Sequence, residues 1–161
     1  MGEIAVRKSE SFWDQIQQME ERILRRAHDI FLNNGSEVGK DLQNWLAAEK
    51  ELVWKPAIQL KEKSDSFELE VDVAGVEPKD LKIEATPDDI LIKGSTERTE
   101  KKQEGEVRVS EFQSGTLFRS VHFPKQVDPG KVKAGLKNGL LTITAPIAEQ
   151  AKARRVNIQV A

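Results

Sequence analysis

The sequence predicts a mainly β protein, an immunoglobulin-like antiparallel β-sandwich preceded by an α-helical hairpin. Three observations carry this reading. Apolar residues recur at helical spacing up to Pro56 and alternate at strand spacing after it, turn residues punctuate the alternating part, and Asn138-Gly139 joins its last two segments.

In residues 10–33, Phe12, Ile16, Met19, Ile23, Ala27 and Ile30 follow in steps of three or four and line one helical face. Ser11 with Asp14 reads as a capping box, and Asn33-Asn34-Gly35 as the stop. A second helix runs from Asp41 to Val53, its register set by Leu42, Trp45, Leu46, Glu49 and Leu52, before Pro56 ends helix formation. About fifty residues bury too little to stand alone, so the hairpin must lean on the sheets or on another subunit.

Seven strands follow: Ala57–Lys61, Phe67–Val73, Leu81–Ala85, Ile90–Lys93, Leu117–Phe123, Val132–Leu136 and Leu140–Ala145. Gly75, Pro78, Pro87-Asp88 and Pro129-Gly130 separate them, and Asn138-Gly139 fits a type I′ turn because both residues tolerate positive φ. After the last strand, Val156 and Ile158 place two β-branched side chains on one face of an extended segment with no partner strand nearby in sequence. Such a segment docks on a sheet edge elsewhere. The organisation expected is a helical module over 1–54, a sandwich over 55–147 and a tail over 148–161.

Composition removes several function classes. A net charge of −2 provides no basic surface for nucleic acid. With no cysteine there is no disulfide framework, thiolate nucleophile or Cys-based zinc site. No apolar run is long enough to span a membrane, the N-terminus lacks a signal-peptide core, and Val6 stands where myristoylation wants Ser or Thr, so a cytoplasmic protein without membrane contact is expected. His28 and His122 are far apart and lack metal-ligand spacing, and neither a nucleophile elbow nor a phosphate-binding loop is present. We expect no enzyme activity, no catalytic, metal or cofactor-binding residue and no small-molecule substrate.

Ala134, Asn138, Gly139 and Leu141 reproduce an A-x-x-x-n-G-v-L pattern, and Gly115–Pro124 is similar to G-x-F-x-R-x-x-x-L-P. Val73–Leu81 is similar to P-G-v-x-x-e-d-i, with Ala74 in place of Pro. On these motifs the chain resembles the small heat-shock protein (alpha-crystallin domain) family over residues 55–147 and the tail. Leu117 stands where that family carries an aromatic residue, and Ser114 where it carries Tyr. The N-terminal third, through Ile23–Phe31 and Gly39–Glu49, resembles a small bacterial domain of unknown function, which implies no activity.

The resemblance implies several sites. The charged stretch 96–106 reads from composition as a solvated loop. By resemblance it leads into a short strand, Val107-Arg108-Val109, exchanged with a neighbouring subunit to build a dimer; a loop this long is unusual in a compact domain without such a purpose. Arg119 is either a solvated residue on an outward strand face or, by resemblance, the dimer-interface arginine, with Glu111 as its candidate partner. Ile83, Ala85, Val132 and Ala134 are either ordinary core or the groove that receives the tail pair, Val156/Ile158 or Ile158/Val160.

The function implied is that of an ATP-independent holdase chaperone: a homo-oligomer built from dimers that binds unfolding client proteins and prevents their aggregation. Phe12, Trp13, Ile16, Met19, Ile23 and Phe31 are the candidate client-binding residues. The alternative is an adaptor or co-chaperone module that docks one folded partner.

Overall fold

A computed structural model of the chain describes residues 2–95, 116–152 and 158. Ten strands and two helices run in the order β1 (Gly2–Ile4), β2 (Val6–Lys8), α1 (Phe12–Asn33), α2 (Asp41–Leu52), β3 (Val53–Trp54), β4 (Ile58–Glu62), β5 (Ser66–Asp72), β6 (Leu81–Ala85), β7 (Asp89–Ser95), β8 (Thr116–His122), β9 (Lys133–Lys137) and β10 (Leu140–Pro146). They build two five-stranded sheets, ordered β1-β9-β10-β5-β4 and β2-β6-β7-β8-β3. The sandwich and the preceding hairpin are those the sequence predicts. Three short strands, β1, β2 and β3, were not foreseen, and two of them make the second sheet mixed, because β2 pairs parallel with β6 and β3 parallel with β8.

Strict alternation in β5 turns Phe67, Leu69 and Val71 inward, where they meet Ile83, Ile90, Ile92, Leu117, Leu141 and Ile143 in one continuous core. Phe67 and Phe123 stack with ring centroids 5.5 Å apart and fill its end. The β9–β10 hairpin turns through Asn138 at φ 51° and Gly139 at φ 78°, the positive pair a type I′ turn needs. Gly139 is required twice over, since a Cβ there would stand 3.0 Å from the Ala74 Cα.

In β7, Ile90, Leu91 and Ile92 are all buried. Successive strand residues face opposite sides, so both faces of this sheet are covered. The cover is the helical hairpin. Met19, Ile23 and Ala27 of α1 and Ala48 of α2 form a second core with Val53, against which Phe118 of β8 packs. Arg26 grips Glu51 across the two helices, its Nη2 donating to Oε1 at 3.0 Å.

Two local expectations fail. The Ser11–Asp14 capping box does not form; the Ser11 hydroxyl accepts from the Gln15 side chain at 3.0 Å instead. The inward face of α2 is Asn44 and Ala48 with Trp45 and Leu52 beside them, and Leu42 and Leu46 are exposed. Ala48 is fully buried and shares the second core with Ala27, a small side chain on each helix, whereas Leu42 and Leu46 face solvent. The stop at Asn33-Asn34-Gly35 forms as a Schellman motif, with Ser36 N–H donating to Phe31 O at 3.0 Å and Gly35 N–H to Leu32 O at 3.3 Å.

Candidate protein-binding site

One side of the sandwich brings together the edges of both sheets. β6 contributes Ile83 and Ala85, the entry to β9 contributes Val132 and Ala134, and all four are buried. The two alanines leave room for side chains between the edges, and residues 2–8 fill it. β1 runs antiparallel to β9 with Ile4 opposite Ala134, and β2 runs parallel to β6 with Val6 opposite Ile83. The segment thus pairs with one sheet, crosses at Ala5 and pairs with the other. Ile4 is only 7% exposed and belongs to the main core; Val6 packs against that core half-buried. Burying the pair is worth on the order of 3 to 5 kcal/mol before ordering costs.

The four groove residues named from the sequence therefore converge, while the occupant next to them is the chain's own N-terminal segment. Of the tail residues, Val156 and Val160 lie outside the described residues, and Ile158 is 86% exposed. Ile4 and Val6 went unrecognised, although their spacing repeats that of Val156 and Ile158. That repeat was the available signal.

Charged groups fasten the segment at its exit. Arg7 stands opposite Glu84 in the β2–β6 register. Glu84 also accepts from Gln15 of α1 at 3.0 Å and pairs with Lys93 Nζ at 2.8 Å, and Lys93 reaches the Gln15 side chain. Burial pushes the Glu84 carboxyl up, but the hydrogen bonds from Lys93 and Gln15 and the charges of Lys93 and Arg7 outweigh it, and the group is held below its ordinary 4.5. One carboxylate thus ties together β2, α1, β6 and β7.

At the other side of the sandwich, Arg119 shares the inward parity of Leu117 and Val121 and is half-buried, so it does not lie on the outward face of its strand. Its Nη1 donates to Pro56 O at 3.4 Å. Val107, Val109 and Glu111, the other interface candidates, lie outside the described residues.

The helical candidates divide. Phe12, Met19 and Ile23 are buried within the chain, Ile16 and Phe31 are half-buried, and Trp13 is 73% exposed. Leu42, 70% exposed, joins Leu24, Leu32, Val38 and Leu46 among the exposed apolar residues of the hairpin. The histidines stay apart: His28 stacks on Phe31 at 6.1 Å, and His122 Nδ1 lies 3.1 Å from Asp89 Oδ1. Among the described residues no three acidic or histidine side chains are grouped to hold a metal, and no helix is long and apolar enough to cross a membrane.

The family model described as Hsp20/alpha crystallin family matches residues 59–160, well over half of the sequence. The chain belongs to the Hsp20/alpha crystallin family. A second model, a protein of unknown function (DUF2934), matches residues 18–53, which is most of α1, all of α2 and the first residue of β3. This Hsp20 chain is 29% identical to spore protein SP21 of Stigmatella aurantiaca over 64% of its own length and 61% of that protein's. It is 33% identical to the 17.8 kDa class I heat shock protein of Arabidopsis thaliana, covering 80% of this chain and 85% of the relative. Heat shock protein 16.0 from Schizosaccharomyces pombe superposes with a TM-score of 0.54 at 28% identity, over 67% of this chain and 99% of that one.

Proposed function

We propose that this protein is an ATP-independent holdase chaperone that captures partly unfolded proteins before they meet one another, competing with aggregation rather than driving refolding. The observation that carries the reading is that the helical hairpin leaves large apolar side chains exposed at several points along its length. Trp13 and Leu42, with Leu24 and Leu46, lie open to solvent on a module laid over the sandwich. Phe12, Met19 and Ile23 join that surface only when α1 lifts from its bed, and Ile16 and Phe31 stand half-open already.

Assembly follows the family pattern in this reading. A dimer forms by exchange of Val107-Arg108-Val109, with Arg119 and Glu111 at its interface, and dimers join through Val156 and Ile158 docking near Ile83, Ala85, Val132 and Ala134. One tail in one groove binds near millimolar strength once ordering costs are subtracted, so large assemblies need many such contacts acting together. The working division is the helical module to residue 54, of which residues 2–8 and 53–54 lend strands to the sheets, the sandwich to 147 and the tail beyond.

The purified protein is expected to suppress light scattering by a heat-labile client at near-stoichiometric ratio without nucleotide. Trp13→Ser combined with Leu42→Ser is expected to weaken that suppression while the sandwich melts unchanged. Suppression that appears only with ATP, or not at all, refutes the reading.

A further inference from the structure

We propose that residues 2–8 are a built-in, displaceable ligand of the groove between β6 and β9, competing with the tail of a second copy of the chain. The inference rests on the tail-docking reading above and adds what the tail must displace. Three observations carry it.

First, the site is already shown to accept a β-branched pair separated by one residue. Ile4 and Val6 fill it from a segment that changes sheet at Ala5. The tail offers the same pair at the same spacing, Val156 and Ile158 about Asn157.

Second, the resident ligand is held by short pairings. Its two strands have three residues each, and Ser9 N–H adds a bond to Ala85 O at 2.8 Å. Against this, Ser9 Oγ is buried with no hydrogen-bond partner. Two three-residue strands at the sheet edges belong to the class of local structure that opens at free energies below that of global unfolding.

Third, the two segments match in mirrored order. The N-terminal segment reads Ile4-Ala5-Val6-Arg7-Lys8, and the tail read backwards is Ile158-Asn157-Val156-Arg155-Arg154. A tail running against the direction of residues 4–8 places Ile158 where Ile4 sits, Val156 where Val6 sits and Arg155 opposite Glu84. The forward direction would put Gln159 at the Arg7 position and leave Glu84 without its basic neighbour on that strand. Charge therefore selects the reversed direction.

The device has a clear consequence. Tail docking reads out as the difference between two similar ligands, and a chain whose N-terminal segment is seated does not receive a tail. Free ends and closed grooves then coexist, and assembly is set by an exchange rather than by a single affinity.

The test uses a fluorescent peptide of residues 152–161 and the full chain carrying Val156→Ser and Ile158→Ser, so that its own tail is silent. Adding Ile4→Ser and Val6→Ser is expected to tighten peptide binding by tenfold or more in anisotropy. Equal affinity with and without those two changes overturns the competition and leaves tail docking standing. Absence of binding to both, up to millimolar peptide, overturns tail docking and this proposal with it. Because the chain has no cysteine, a second variant, Ile4→Cys with Ala134→Cys in the same silent-tail chain, locks the segment in place by the pairing seen here. The oxidised form is expected to lose peptide binding and reductant to restore it; binding unchanged by oxidation, with the disulfide confirmed by mass, refutes the proposal even if the serine variant does not fold. Arg155→Gln in the peptide is expected to lower its affinity for the Ile4→Ser, Val6→Ser chain several-fold, and to have no effect once Glu84 is also changed to Gln. A peptide indifferent to Arg155 overturns the reversed direction.

Discussion

The two open sides of the sandwich are finished in opposite ways. On one, residues 2–8 supply both sheets with an extra strand and seal the gap with Ile4 and Val6. On the other, β4 ends one sheet, the two-residue β3 ends the other, and a half-buried guanidinium reaches the Pro56 carbonyl. Apolar side chains fit any segment of similar shape, whereas a guanidinium selects acceptors by direction and charge. The first side is suited to exchange among interchangeable ligands, the second to one fixed partner. An edge strand of two residues also offers little template for unwanted pairing.

The largest effect that separates the sides is expected at Arg119. Arg119→Glu removes a charged donor and sets a carboxylate against the Pro56 carbonyl, a loss of about 1.5 to 3 kcal/mol for the hydrogen bond alone, with more at a dimer interface. Light scattering is expected to show dimers and larger species giving way to monomers. If assembly size and melting temperature both stay at parent values, Arg119 supports neither an interface nor the fold.

Next comes the tail. Val156→Ala with Ile158→Ala removes most of the apolar burial, and large assemblies are expected to shift toward dimers while the sandwich still melts cooperatively. A chain truncated after Asn157 also removes Val160, which continues the alternation. An unchanged size distribution in both would place assembly elsewhere in the chain. The contrast with Arg119 sharpens here, since the tail change should spare the dimer that the arginine change breaks.

The smallest effect is at Glu84. Its carboxyl is held below the ordinary 4.5, so its contribution is fully present above that value and is lost as pH falls from there through the lowered folded value. Glu84→Gln is expected to reduce stability at pH 7 by about 1 kcal/mol, with the parent converging on the variant under acid. Hydrogen exchange should place the loosening in residues 2–8 and the start of α1. A variant and parent that remain equally separated at pH 7 and pH 3 would remove Glu84 from that role.

Both helices and the seven main strands were legible because each is long enough to show its own period, 3.6 or 2. β1, β2 and β3 were not, since a strand of two or three residues has no period and gains its structure only from partners far away, Leu136 for Gly2 and Thr116 for Val53. Ile83, Ala85, Val132 and Ala134 do come together at one side of the sandwich, but nothing in a linear reading shows that residues 2–8 pair beside them. The face of α2 failed for a different reason. Leu42, Leu46 and the Asn44–Ala48 pair are both stripes at a spacing of four, and the buried one is the stripe that carries the small side chain.

The junction at Leu52–Val53 has one more consequence. The helix stops and the strand starts on adjacent residues, and Pro56, whose carbonyl holds Arg119, follows three positions later. No linker separates the hairpin from the sandwich edge. Mechanically the two form a lever without slack: a load drawn sideways on α2 arrives at β3 and at the Arg119 contact undiminished by any flexible tether. A chain carrying a heavy, shifting burden on its helices would thus register that burden at the very edge proposed to hold its partner.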